Sequence, residues 1–284
     1  MKIAIIHKHY LGDNFVMPSY LSEYGVKTIH QRILSGEIWG YKNHKAYADH
    51  NGYQFIEDRE PWYDSKPPDW SIWQAGLRAL KDPDLDVDWI FFSVNDIIYA
   101  DFNIRLEKYI QDTPPEAFMA SGIYISKVNW RVKNSHSPTW EIEMLPEPQD
   151  SVTLSAYSHF IRKCPEAIKF VEMLDLDQRF KSIPAIQRHA YTGDAYLSIW
   201  YNGYSEYRKY WHLYSQHDHT RVPNSSVSKS SKTWLTNSGL KEYEDGKALM
   251  VFGMCCVPME TTLTTIETYT NKMTENEDSS TTKI

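Results

Sequence analysis

The chain has 284 residues, a formal net charge of −7 and three cysteines. That length suits one large α/β domain with or without a tail, with a core stable without disulfides. The acidic balance and the lack of a Lys/Arg block leave no footprint for nucleic acid, and no segment reaches the ~18 apolar residues of a membrane span.

Cys164, Cys255 and Cys256 make neither a disulfide framework nor a metal-ligand spacing. Reduced thiols and a soluble, cytoplasmic chain without an anchor are the expectation. Aromatic residues make up 14% of the chain, with 10 Trp and 20 Tyr. They either pack a Tyr-rich core or offer faces on which sugars and bases stack.

In chain order, Ile3 to His7 is an apolar run and reads as a first buried strand. A polar loop follows, without the Gly-x-Gly-x-x-Gly of a dinucleotide site. Gly36 to His50 has helical spacing, with Ile38, Tyr41, Ala46 and Tyr47 as inward positions. Asn51-Gly52 ends it, and Tyr53 to Ile56 alternates as a second strand. After a proline-rich loop, Trp70 to Leu80 is a second helix, capped by Asp69 or Ser71. Val87 to Asp101 is an apolar and aromatic run that ends abruptly in polar residues and then resumes, the shape of a third, buried strand that delivers Asn95 and Asp96 at its C-terminal edge. The order β-α-β-α-β predicts an α/β domain with a mostly parallel sheet between helices. Ligands bind such sheets at the carboxyl ends of the strands.

Beyond Asp101, a helix is expected over Leu106 to Gln111 and a strand over Ala117 to Ser126. Asn129 to Gln149, with several prolines, reads as irregular. Val152 to Ile161 is strand-like, Pro165 to Leu174 is helical, and Ala195 to Trp200 is a helix with Asp194 as its cap. Trp211 to His219 reads as a polar loop crowded with His212, His217 and His219. Lys247 to Met254 is the last apolar run. A domain over residues 1–258 and a disordered polar tail over 259–284 are expected.

Three pieces in fixed order resemble one family. Lys42 to Tyr53 resembles "N-K-x-x-Y-A-x-x-H-G-Y". Trp73 to Asp96 resembles a Trp helix followed by an apolar strand ending in Asp-x-Asp. Ser155 to Cys164 resembles "N-x-G-x-F-L-I-R-N-C". Together they are similar to glycosyltransferases of the GT-A fold, above all family 34, the galactosyl- and xylosyltransferases. The resemblance covers roughly residues 1 to 255. It implies a GT-A-like, single-domain fold and transfer of xylose or galactose from a UDP-sugar to a hydroxyl of a glycan acceptor. It also implies Mn²⁺ or Mg²⁺ on the Asp-x-Asp, because oxygen ligands suit hard cations. The chain departs from the pattern at three charge-handling positions. Val94 replaces the first Asp, Gln74-Ala75 replaces a Lys, and Met250 replaces a late His.

Asp96 is a metal or donor-sugar ligand on this reading, or a turn carboxylate. Asn95 is a sugar or ribose contact, or a turn residue. Asp194 is a base or oxocarbenium stabiliser beside the sugar, or a plain helix cap. His217 and His219 join Asp96 as metal candidates, or are loop histidines. Arg221 neutralises the diphosphate, or lies in a solvated loop. His7 and Tyr10 follow strand one, where the resemblance places base and ribose, with Lys42 on the adjoining helix. A metal-independent mechanism stays open. So does the alternative of a catalytically inactive GT-A-fold protein that binds a sugar or nucleotide.

Overall fold

The computed structural model describes residues 1–9, 40–60, 70–93, 97–133, 136–137, 139–177, 179, 192–221 and 247–251. Ile3–Lys8 forms β1 and is buried along its whole length, as an apolar strand covered on both faces must be. Tyr41–Asn51 is helix α1. Gly52 ends it at φ 72°, its N–H reaching the carbonyls of Ala48 and Asp49. A residue without Cβ takes that left-handed cap at no steric cost. Gln54–Asp58 is β2, Trp70–Lys81 is α2, and Trp89–Ser93 is β3, again buried throughout.

Two-residue β4, Ile98–Tyr99, comes next, then a single 3₁₀ turn over Leu106–Tyr109 where a helix to Gln111 was expected. Met119–Lys133 is β5 and Glu141–Arg162 is β6. The stretch 129–149, expected to be irregular, is thus the outer half of a long antiparallel hairpin. Pro165–Leu176 is α3 and Thr192–Gly203 is α4. A second 3₁₀ turn, Ser205–Tyr210, leads to β7, Trp211–Ser215. The four-residue helix α5, Gln216–His219, and the short strands β8, Thr220–Arg221, and β9, Met250–Val251, complete the described elements.

The main sheet has the order β2-β1-β3-β6-β5-β7, and a small second sheet has the order β4-β9-β8. In the main sheet β1 runs parallel to β2 and β3, and β5 runs parallel to β7. Strand β6 is antiparallel to both β3 and β5. The sheet is therefore mixed. It is parallel on the side where the β-α-β-α-β order was legible, and the β5–β6 hairpin reverses its direction.

Alternation along the strands assigns the two faces. His7, Phe55, Phe91 and Phe160 lie toward α1, the small sheet and α5, with Phe91 and Phe160 rings 4.4 Å apart. On the other face Phe92 stacks on His159 at 4.8 Å, and His159 meets Trp73 of α2 at 4.9 Å. A Cβ at Gly76 would lie 2.6 Å from Phe92 Cζ, so α2 rests on β3 through a glycine. Among the described residues no helix is long and apolar enough to cross a membrane.

Candidate functional site

Strands β1, β2 and β3 are parallel, so their carboxyl ends share one edge of the sheet. His7 and Lys8 lie there on β1, Asp58 on β2 and Ser93 on β3. Ser93 is the last described residue before 97. Lys8 and Asp58 are both buried and pair at 2.6 Å, and Arg78 of α2 grips the same carboxylate with Nε at 2.8 Å and Nη2 at 2.6 Å. Lys8 also donates to the Glu60 carbonyl. Burial lowers the Lys8 pKa against the pull of Asp58. Two cations thus share one buried carboxylate beneath this edge, with Glu60 also close enough to act on Lys8.

Helix α1 organises the other face. Its inward side is Asn43, His44, Tyr47 and Ala48, while Tyr41 and Ala46 are only half-buried. The expected inward set was correct at Tyr47 but rotated off the two polar residues, and Ile38 lies outside the described residues. Asn43 accepts from the Tyr99 N–H at 2.7 Å and donates to the Tyr99 carbonyl at 3.0 Å, so its amide imitates one rung of a β-ladder. His44 Nε2 lies 2.6 Å from the Ile97 carbonyl oxygen. His44 Nδ1 faces His7 Nδ1 at 3.1 Å and Ser93 Oγ at 3.4 Å. Tyr47 and Tyr99 stack at 3.9 Å. Two polar side chains of one helix thus hold the chain immediately beyond 94–96.

Burial, then the neighbouring His44, His9 and Arg59, hold His7 well below the usual histidine pKa. Burial holds His44 at about 4, against a smaller upward push from the Ile97 carbonyl. Both rings are neutral at neutral pH.

Of the sequence candidates, His7 is at the strand edge and buried. Lys42 is exposed on α1, its neighbours Asn43 and His44 turned inward. Tyr10, Asn95 and Asp96 lie outside the described residues, as does the tail 259–284. Asp194 is the third residue of α4, inside the helix rather than at its cap, since the helix begins at Thr192. Its side chain, like those of His217 and Arg221, is outside the described set.

Trp211 to His219 is a strand and a helical turn instead of a polar loop. His219 is fully buried, with rings of Tyr109 at 4.6 Å and Tyr214 at 5.1 Å around it. Burial takes its pKa to about 3. Among the described residues no three His, Cys, Asp or Glu side chains are grouped to hold a metal ion. Met250 is buried in β9, and its thioether is a poor partner for a hard cation.

The small sheet joins what the sequence keeps apart. Ile98, just after 94–96, pairs with Val251 of β9, and Val251 pairs with Arg221 of β8. The late His-rich segment is thereby brought to the strand that leaves the main sheet's edge.

No protein-family model matches the chain, and no curated protein does. Among solved structures, a glycosyltransferase involved in the glycosylation of the major capsid of PBCV-1 superposes with a TM-score of 0.50. The match covers 94% of this chain and 100% of the other, at 12% identity. The fold is GT-A-like. Mouse xyloside xylosyltransferase 1 gives a TM-score of 0.40 over 91% of this chain and 99% of its own, at 11% identity. A Bacillus anthracis structure named as a glucose-1-phosphate thymidylyltransferase gives 0.34 over 87% and 97%, at 14% identity. These two weaker likenesses add nothing to the first.

The sequence reading missed Asn43, His44 and Ser93. The one signal was for Asn43, which precedes the expected inward Tyr47 by one helical turn; Ala48, which stands in the same relation to His44, was not among the expected inward positions. Polar residues in line with buried ones are a mark of a polar network under a helix.

Proposed function

We propose that the chain is a glycosyltransferase that moves a sugar from a UDP-sugar donor to a hydroxyl of a glycan acceptor. The observation that carries this is the GT-A-like fold, matched over the whole length of a glycosyltransferase. The carboxyl edge of its parallel strands is the seat of the donor in this proposal, in keeping with the rule for open α/β sheets. In this proposal His7 and Tyr10 face the base and ribose, and Asn95 and Asp96 contact the donor sugar. Arg221 meets the diphosphate, whose developing negative charge needs a cation. Asp194 stands beside the sugar as base or oxocarbenium stabiliser. Xylose or galactose is the transferred sugar. Lys42, exposed on α1, is left to the rim of the site.

The test is UDP binding by calorimetry, with and without Mn²⁺, followed by turnover across a UDP-sugar panel. Asp194→Ala should lower turnover and leave UDP affinity nearly unchanged. Failure to bind UDP and to turn over any donor sinks the proposal. A second reading, a donor-binding protein without transfer, is favoured by the buried Met250 at the position of the late His. UDP binding without turnover of any donor selects it.

A further inference from the structure

His7 and His44 form a relay in which each proton's place follows from the partners. The Ile97 carbonyl oxygen can only accept, and it lies 2.6 Å from His44 Nε2. His44 Nε2 therefore carries the hydrogen, and the neutral ring leaves Nδ1 bare. His7 Nδ1, 3.1 Å from that bare nitrogen, must donate to it. Neutral His7 then has its lone pair on Nε2. That atom is buried and has no hydrogen-bond partner among the described residues. Buried polar groups are rarely left so. His7 thus presents an acceptor lone pair at the carboxyl edge of the parallel strands.

We propose that His44 is a positioning residue: it fixes His7 as the Nδ1–H tautomer, so that His7 Nε2 accepts from the imide N3–H of a uracil base. The inference rests on the donor reading above and adds to it the base selected and the device that selects it. A phosphate oxygen is excluded at this atom, because two lone pairs repel. At the N3 position cytosine meets the same repulsion, since its N3 is an acceptor, and only a shift that brings its N4 amino group forward would avoid it. The surroundings favour a planar base over an isolated hydroxyl: rings of His9, Tyr41 and Phe55 lie 4.8, 5.5 and 6.2 Å from His7, and such faces suit a flat heterocycle.

The experiment has two arms. The first is ¹⁵N NMR of the histidine rings in the full chain without ligand. A protonated Nδ1 and bare Nε2 on His7 are expected, whatever the protein binds. A protonated Nε2 overturns the relay. The second arm compares UDP, CDP and N3-methyl-UDP by calorimetry. UDP should bind about tenfold or more tightly than the other two, the scale of one buried hydrogen bond.

His44→Leu should abolish that preference. His44→Gln should restore it, since a Gln amide offers an N–H to Ile97 and an oxygen to His7. Equal affinity for UDP and CDP in the unaltered chain, or an undiminished preference in His44→Leu, overturns base selection. Mg²⁺ alone shifting the His7 Nε2 resonance assigns the lone pair to a metal and overturns it too. Should the leucine variant not fold, the unaltered chain and the glutamine variant decide. If none of the three nucleotides binds, the donor reading fails together with base selection, and the tautomer arm still judges the relay.

Discussion

Acidification between about pH 6.5 and pH 5 should destabilise the chain through its buried histidines. An exposed histidine in the unfolded chain takes up its proton near pH 6.5. His44 in the fold holds off until about 4, and His219 until about 3, both because burial disfavours the charged ring. Their folded pKa values are depressed. Their contribution is therefore complete above the unfolded value and is lost as the pH falls through the window between unfolded and folded values. At about pH 5 each has lost about 2 kcal/mol, at roughly 1.4 kcal/mol per unit. His7 and the half-buried His212 shift in the same direction and add to the loss. Two such groups together reach about 4 kcal/mol, a large share of the 5–15 kcal/mol typical of a domain. The depressed carboxylates Glu57 and Glu107 titrate below this window and do not confuse it. Urea unfolding followed by Trp fluorescence at several pH values measures the effect. His44→Gln should flatten the profile by about 2 kcal/mol. A urea midpoint that does not move between about pH 6.5 and pH 5 refutes the assignment of these rings as buried and neutral.

Three further outcomes follow from contacts. Gly76→Ala puts a methyl 2.6 Å from Phe92 Cζ and should cost about 1–3 kcal/mol of overpacking; Phe92→Leu in the same chain should recover most of it in urea unfolding. Asn43→Leu removes both partners of the Tyr99 backbone and should cost about 3 kcal/mol, with hydrogen exchange at the Tyr99 amide accelerated before the rest of the domain. Asp58→Asn leaves buried Lys8 and half-exposed Arg78 without their shared carboxylate. A loss of about 3–5 kcal/mol is expected, with part returned by adding Lys8→Met.

The parallel half of the fold was legible because β1 and β3 are covered on both faces and read as unbroken apolar runs. The hairpin was not, because its outer half carries exposed residues on both strands and two prolines. Pro146 and Pro148 cannot donate to a ladder, and the register between β5 and β6 shifts in that stretch, between Val128 and Trp130. Prolines that mark a bulge look, in sequence, like prolines that mark a loop. The His-rich segment misled for a different reason. Its polarity is genuine, but Tyr109 and Tyr214 enclose His219, and neither contact follows from local spacing. At the candidate site, the strand edge and His7 were legible. The grip of Asn43 and His44 was not, since polar side chains on a helix face normally point to water.

The same hairpin sets the order in which the sheet can assemble. Ile3 must find Trp89, and Met119 must find Trp211, across long stretches of chain. The innermost pair of the hairpin, Lys133 with Glu141, closes a short loop, and loop-closure entropy favours short loops. The ribbon therefore forms early and offers β6 to β3 on one side and β5 to β7 on the other. Weakening it should slow folding, whereas weakening the edge strands β2 or β7 should mainly hasten unfolding. The element least visible in the sequence is in this sense the template on which the visible ones are laid.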